Sequence, residues 1–298
     1  MTQTSTDTLR LIGSLCRDSG VPTRTVAKAT AIEGAGIHSG ITCRVRIQPR
    51  NAGEGIAFTR AGRNPVPATW QFANAEASDR RTVIIGADGE RFEQIEHLMA
   101  ALYALGISDA LVEQEGPEVP FLGGGSREYM DALRQAGVVE NGGQFPVLHI
   151  EQTASLEDGG ALLTATPHDG LFLSAFVEFP GTVVGNMGFT IGINPENFYD
   201  QVSQARTFAV ARDIEALRAR GLARGGNLQN AVVFDETRYH NESLHFPDEV
   251  ARHKIIDLLG DLALLGCGLN GHFWAWRAGH RSHVLFAQKI ARECRLDP

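Results

Sequence analysis

Apolar residues recur at helical spacing between Asp248 and Gly266, and this stretch predicts a helix that packs one face into a core. Pro247 and Asp248 are typical of a helix start, and Gly266 is typical of a helix end. Three polar residues form one stripe along this helix, because they are spaced i, i+4 and i+8: His253, Asp257 and Asp261.

This stripe has two interpretations. An imidazole and a carboxylate one turn apart can bind a single metal ion, as the two histidines of the H-E-x-x-H zinc helix do. The alternative is an amphipathic helix whose polar face contacts water, and the helix considered alone favours it. A metal site needs a third ligand elsewhere in the chain.

A second helical pattern covers residues 92–105 and ends at Gly106. Its apolar face consists of Ile95, Leu98, Met99, Leu102 and Leu105. Glu96 and His97 are neighbours, about 100° apart around the helix axis, so they cannot easily bind one ion together. They suit a metal ligand with a base beside it, or a surface glutamate followed by a histidine near the helix cap.

Two glycine-rich segments invite a phosphate-binding interpretation. Gly34–Gly40 resembles a dinucleotide-binding loop, but an alternating, strand-like segment follows it instead of a helix, so a hairpin is the better prediction. His38 in that hairpin is either a site residue or a turn residue. Gly123–Ser126 precedes a helix without the Gly-Lys-Ser/Thr of a nucleotide loop, and it predicts a tight turn.

The order of these elements predicts an α+β protein, because strand-like segments come in runs rather than alternating regularly with helices. Residues 1–22 are expected to form an N-terminal extension or a loosely docked helix. The first α+β domain is expected at residues 23–140 and the second at residues 144–298, with the boundary in the glycine-rich segment 137–146.

Composition narrows the classes of protein. The 298 residues, 43% hydrophobic and 21% charged, can form one large globular domain or two of ordinary size. A formal net charge of -8 argues against nucleic-acid binding but permits a local site for an anionic substrate. The four cysteines form no C-x-x-C pair, so reduced thiols in the cytoplasm are the simplest expectation. We find neither a secretion signal nor an apolar run near the ~20 residues of a transmembrane helix.

Six short motifs occur in order along the chain: Gly36-Ile-His-Ser-Gly40, Glu96-His-Leu98, Ala205-Arg-Thr-Phe208, Arg212-Asp-Ile-Glu215, His253-Lys-x-x-Asp257-x-x-x-Asp261 and Gly279-His280. The ordered set resembles the UDP-3-O-acyl-N-acetylglucosamine deacetylases, the LpxC family of lipid A biosynthesis, over about residues 24–294. The resemblance implies two similar α+β domains, each with helices layered against a sheet, and an active site between them.

The resemblance also implies a set of site residues. Catalytic zinc, with Fe²⁺ as the alternative, would be bound by His97, His253 and Asp257. The implied catalytic residues are the general base Glu96, the oxyanion-stabilising or amine-protonating His280, its partner Asp261, and the oxyanion donor Thr207. The implied substrate-binding residues are Lys254, Phe208 and His38, with residues 211–226 corresponding to the insert that shapes the acyl-chain passage.

The expected function is therefore zinc-dependent hydrolysis of the N-acetyl group of a UDP-linked acyl amino sugar in the cytoplasm, by a chain whose sequence is compatible with a monomer. Two alternatives stay open. One is a divergent paralogue that deacetylates another acylated or nucleotide-linked amino sugar. The other is a non-catalytic protein that binds a nucleotide sugar.

Three positions depart from the family pattern. Gln94 and His283 stand where the family commonly has Thr and Asn, and Gly123–Ser126 stands where it usually has Asp-Gly-Ser. None of these is an implied ligand or the base. We expect Gly123→Asp to leave metal content unchanged and to stabilise the chain by about 0.5–1 kcal/mol, because glycine adds backbone freedom that folding must restrict.

Overall fold

The computed structural model describes residues 11–296. Its strands are β1 (Gly13–Cys16), β2 (Pro22–Val26), β3 (Thr30–Ala35), β4 (Thr42–Pro49), β5 (Ile56–Thr59), β6 (Val66–Pro67), β7 (Val83–Ile85), β8 (Arg91–Glu93), β9 (Ala110–Glu115), β10 (Val138–Gln144), β11 (Val147–Ile150), β12 (Ala154–Asp158), β13 (Ala161–Thr166), β14 (Leu171–Phe179), β15 (Gly185–Gly192), β16 (Thr207–Val210), β17 (Ala231–Phe234) and β18 (Gly268–Trp276). Its helices are α1 (Glu96–Ala104), α2 (Arg127–Ala136), α3 (Pro195–Gln201), α4 (Ile214–Ala219), α5 (Glu249–Leu262) and α6 (His280–Glu293), with 3-10 turns at Ala211–Asp213 and Ala263–Leu265.

The first half of the chain builds a five-stranded sheet in the order β3-β4-β9-β5-β6. Strand β4 illustrates why these residues form it. Cys43, Val45 and Ile47 alternate with exposed residues, so one face of the strand is buried and the other contacts water. Strands β5 and β9 are parallel, and the other pairs in this sheet are antiparallel.

The second half builds a seven-stranded mixed sheet around the nine-residue strand β18. This strand pairs in parallel with β11 and β14 and antiparallel with β13. Strand β1, from the start of the described chain, pairs antiparallel with β11 and so belongs to this second sheet.

The helices pack against one another and against the sheets. Helix α1 contacts α5, and α5 contacts α6 and β14. One cluster of buried apolar side chains includes residues of both halves, among them Ile47, Phe58, Leu98, Leu259 and Phe273. Helices layered with separate sheets confirm the predicted α+β class, whereas the predicted domain limits stay a prediction.

Helices α1 and α5 approach closely at one point, where Gly260 faces the first residue of α1. A Cβ atom at position 260 would lie 2.0 Å from the Glu96 carbonyl oxygen, which no side chain allows. The glycine therefore permits a close contact that sets the polar stripe of α5 beside Glu96 and His97.

The helix predicted for residues 92–105 begins later, at Glu96. Residues Arg91–Glu93 pair instead with Val83–Ile85 as a short hairpin. Gln94 separates strand from helix with φ = 64°, a left-handed conformation that neither element continues through.

Two segments expected to be loosely structured are strands. The predicted boundary, residues 137–146, contains β10, which pairs with β2 across an irregularity between Glu140 and Gln144. Residues 1–10 of the predicted extension lie outside the described residues, and β1 replaces the loosely docked helix. Local propensity did not reveal these strands because their pairing partners lie more than 100 residues away. Within residues 11–296, no helix has the length and apolar character needed to cross a bilayer.

Candidate active site

Three buried side chains from α1 and α5 converge where the two helices meet. The Nε2 atom of His97 lies 3.5 Å from Oδ1 of Asp257, and Nε2 of His253 lies 3.3 Å from the same oxygen. The two imidazole rings are 5.0 Å apart and nearly perpendicular. The fold thus brings a candidate third ligand, His97, to the two on α5.

This donor set fits a divalent metal ion. Ligand atoms about 2.1 Å from an ion in tetrahedral geometry are roughly 3.4 Å apart, close to the two separations observed. Asp257 Oδ1 is buried, and nowhere in residues 11–296 does it find a hydrogen-bond partner. A buried carboxylate oxygen is costly without a partner, and a cation between it and the two imidazoles would satisfy it.

The surroundings orient each ligand atom on α5. His253 Nδ1 donates a hydrogen bond to the Ala205 carbonyl at 3.1 Å, so its Nε2 lone pair is free to bind a metal. Lys254 Nζ donates to Asp257 Oδ2 at 2.7 Å, which leaves Oδ1 facing the histidines. Burial alone would raise the pKa of Asp257, but Lys254 and His253 hold it well below its ordinary value, so the ligand is a carboxylate.

Glu96 lies beside this centre and is completely buried. Its Oε2 accepts a hydrogen bond from the Thr82 backbone N–H at 3.0 Å, and its Oε1 accepts one from Gln94 Nε2 at 2.8 Å. Burial raises the pKa of Glu96, and His280 and His97 partly offset that rise. A carboxyl group whose pKa is raised is a better proton acceptor than an exposed glutamate.

His280 faces Glu96 across the site, with its Nε2 at 3.7 Å from Glu96 Oε1. Its other ring nitrogen, Nδ1, donates to Asp261 Oδ2 at 2.9 Å. Burial lowers the pKa of His280, but Glu96, Asp261 and Asp257 outweigh burial and raise it to about 9. The imidazole is therefore a cation at neutral pH, and it faces the carboxyl group of Glu96.

A second group of three potential ligands, Asp261, His280 and His283, is also buried and close together. His283 Nδ1 donates to Asp261 Oδ2 at 2.8 Å, and the Thr82 hydroxyl donates to Asp261 Oδ1. The Nδ1 atoms of His280 and His283 carry the hydrogen atoms that they donate to Asp261, so they have no lone pair for an ion. This group is therefore a hydrogen-bond network that holds His280 in place.

The segment Ala205–Phe208 lies beside the candidate metal ligand His253. An ion pair between Arg206 and Glu249 holds this segment in place. Glu249 is fully buried and accepts from the Arg206 backbone N–H at 3.0 Å and from its guanidinium Nε at 2.8 Å. The Phe208 ring lies edge-on to His253 with ring centroids 6.0 Å apart. Thr207 is the first residue of β16, and its backbone N–H donates to the Gly124 carbonyl. The ring contact places Phe208 beside His253, while the substrate-binding role of Phe208 and the oxyanion role of Thr207 stay predictions.

His38 lies in the turn between β3 and β4, as the hairpin interpretation predicted. Glu118 accepts hydrogen bonds from the backbone N–H groups of His38 and Ser39, and the turn packs on Arg224 and Gly225 of the second half. Burial lowers the pKa of His38. Its substrate-binding role stays a prediction, as does that of Lys254, whose ammonium group pairs with Asp257.

The glycine run before α2 is a tight turn pressed against other backbone segments. A Cβ at Gly124, whose φ is 85°, would lie 1.9 Å from the Asn230 carbonyl oxygen. A Cβ at Gly125 would lie 2.4 Å from the Ser203 carbonyl oxygen. The hydroxyl of Ser126, the residue before α2, donates to the His97 carbonyl at 2.9 Å, so this turn supports a metal ligand.

The surroundings of Gly123 lead us to expect destabilisation by Gly123→Asp. A Cβ at position 123 would lie 2.3 Å from Glu128 Oε1, the atom that accepts the Gly123 N–H at 3.0 Å. The aspartate must displace this carboxylate and then repel it. We expect the variant to lose about 1 kcal/mol of unfolding free energy, measured by urea denaturation. Gly123→Asp combined with Glu128→Gln should lose less than Gly123→Asp, and an equal loss would contradict the charge argument.

Sequence reasoning missed several residues that support the site. Thr82 contacts both Glu96 and Asp261, and Glu249 holds Arg206. Gln94 and His283 were noted only as departures from a pattern. None of these lies on the polar stripe of α5. The partners of Thr82, Glu249 and His283 are 14 or more positions away, and Gln94 contacts Glu96 through a left-handed backbone conformation that no helical or strand pattern predicts, so periodicity carried no signal for them.

Comparison with known proteins agrees with this geometry. The family model for UDP-3-O-acyl N-acetylglycosamine deacetylase (LpxC) matches residues 23–292. A UDP-3-O-acyl-N-acetylglucosamine deacetylase of Myxococcus xanthus is 35% identical over 283 residues, covering 95% of this chain and 89% of the relative. Proteins of the same name from Pasteurella multocida and Brucella melitensis are 35% and 36% identical, covering 86% and 87% of this chain and 86% and 91% of the relatives.

Proposed function

This chain belongs to the UDP-3-O-acyl N-acetylglycosamine deacetylase (LpxC) family, and from that premise we propose that it hydrolyses the N-acetyl group of UDP-3-O-acyl-N-acetylglucosamine. The products are acetate and the free amine, in a step of lipid A biosynthesis. One observation carries the proposal: three buried metal-ligand atoms converge beside a buried glutamate and a histidine that face each other at 3.7 Å.

Zinc is the metal we propose for His97, His253 and Asp257, because two imidazoles and one carboxylate are a ligand set of catalytic zinc sites. Ferrous iron is the alternative, since two histidines and a carboxylate also bind that ion. When bound, the ion would lower the pKa of a water molecule and polarise the amide carbonyl.

Side chains of the protein accept and donate the protons of the reaction. Glu96 takes a proton from the attacking water, and its two hydrogen bonds leave lone pairs on both oxygens for that purpose. His280, held by Asp261, places positive charge near the developing oxyanion and donates a proton to the leaving amine. The Thr207 hydroxyl supplies a further donor to the oxyanion.

The remaining assignments concern substrate and compartment. Phe208, Lys254 and His38 would contact the substrate, while residues 211–226 would border the acyl chain. Lys254 can do so only by leaving or sharing its 2.7 Å pair with Asp257. A UDP-linked substrate and four cysteines that are free thiols support a cytoplasmic enzyme.

The test is turnover of the proposed substrate by the purified protein loaded with zinc. We expect stoichiometric release of acetate and free amine, with loss of both on chelation and recovery on adding zinc. Turnover of a different acylated or nucleotide-linked amino sugar alone would establish the divergent paralogue. Tight binding of the substrate without any acetate release would establish a binding protein.

A further inference from the structure

We infer that Gln94 is a positioning residue for the general base: its side-chain amide orients the Glu96 carboxylate, and its strained backbone conformation is maintained for that purpose. The inference rests on the proposed role of Glu96 and concerns a residue that departs from the family pattern.

The backbone of Gln94 is the first part of the argument. Its φ of 64° lies in the left-handed region, which long side chains rarely adopt and which glycine or asparagine adopts at lower cost. A glutamine at this position therefore needs a reason. Non-glycine residues in such conformations are concentrated at functional sites, where surrounding contacts hold them.

The contacts of Gln94 indicate that reason. Its backbone N–H donates to the Thr82 carbonyl at 3.0 Å, and the Thr82 N–H donates to Glu96. Its side chain, only 5% exposed, donates from Nε2 to Glu96 Oε1 at 2.8 Å. The opposite amide orientation would place two oxygen atoms at that distance, so a deprotonated Glu96 selects the donor.

The other end of the amide group has no comparable contact with the protein. Gln94 Oε1 is buried and makes no hydrogen bond to any residue in the described part of the chain. An amide placed for stability alone would satisfy both of its ends, because a buried unpaired oxygen is costly. Here one end is left unsatisfied while the other contacts the base.

The consequence for the reaction is geometric. Two donors from separate segments of the chain, the Thr82 N–H just before β7 and the Gln94 amide between β8 and α1, hold the two carboxylate oxygens and prevent rotation of the group. A base displaced by about 1 Å can lose roughly a hundredfold in rate. Removal of the Gln94 donor should therefore reduce kcat without changing substrate affinity.

Two variants separate this role from a structural one. Gln94→Met keeps the side-chain volume and backbone strain but removes the donor and the unpaired oxygen. Gln94→Gly removes the donor and relieves the strain. In both, we expect kcat to fall roughly tenfold or more, with unchanged KM and metal content. Arg295→Gly is the matched control, because Arg295 is exposed at φ = 52° far along the chain from the site, and it should retain full kcat.

A measurement independent of turnover completes the test. Hydrogen exchange of the Gln94 side-chain amide, followed by NMR, should be slow in wild type and fast in Glu96→Ala. If Gln94→Met retains wild-type kcat, or if amide exchange is the same with and without Glu96, the inference is wrong. An inactive wild type that still shows slow exchange would overturn the proposed function and leave the contact between Gln94 and Glu96 established.

Discussion

Asp257→Ala is expected to lose most of its bound metal and nearly all of its deacetylase activity. Asp257 Oδ1 faces both ligand histidines and has no other partner within the described residues. Loss of a residue that merely hydrogen-bonds a metal ligand typically weakens metal affinity about 10- to 100-fold, so loss of a ligand itself should exceed that range. Titration of the apo-protein with zinc against a chelator of known affinity measures the effect.

The variant also leaves Lys254 buried without its carboxylate, which can destabilise the chain. The double variant Asp257→Ala, Lys254→Met removes that charge and should melt near the wild-type temperature while still failing to bind zinc tightly. Asp248→Ala, at the start of the same helix, is the control and should bind one equivalent. Wild-type affinity in the folded double variant would remove Asp257 from the ligand set.

Glu96→Gln should show the opposite combination: metal content like that of wild type, but kcat reduced by about 10²- to 10⁴-fold. The amide has the shape of the carboxylate and can still accept from Thr82, but it cannot take a proton from water. The proposed ligand atoms belong to His97, His253 and Asp257, so on this proposal metal binding needs no oxygen of Glu96.

Glu90→Gln serves as the control for Glu96→Gln. Its carboxylate pairs with Arg60 at 2.5 Å and takes no part in the site, so kcat should be unchanged. Single-turnover measurements at saturating substrate separate a loss in chemistry from a loss in product release. If Glu96→Gln retained wild-type kcat with a full complement of metal, another group would have to be the base.

Helix α5 is the part of the structure best predicted from sequence. The predicted start at Asp248 and end at Gly266 agree with a helix from Glu249 to Leu262 followed by a 3-10 turn that Gly266 ends at φ = 70°. Strong helical periodicity and a terminal glycine depend only on neighbouring residues, so they predict the helix without knowledge of its distant partners.

The prediction failed where a distant partner determines the local structure. Arg91–Glu93 continued the helical pattern of α1, yet it pairs with β7, and the glycine-rich β10 forms because β2 lies beside it. At Gly123, too, the sequence did not reveal which side chain lies nearby. Its missing side chain suggested only excess freedom, but the Glu128 carboxylate lies where a Cβ would be.

By itself, the sequence determined the α+β class, the polar stripe on α5 and, through an ordered set of motifs, the expected chemistry. These depend on residue type and short spacing, which the chain carries regardless of how it packs. Tertiary structure alone decided that Gly260 brings α5 against Glu96, that Arg206 pairs with Glu249, and that Thr82 contacts both Glu96 and Asp261. Such contacts join residues as much as 179 positions apart, as between Thr82 and Asp261, and they arise only when packing in three dimensions closes those distances.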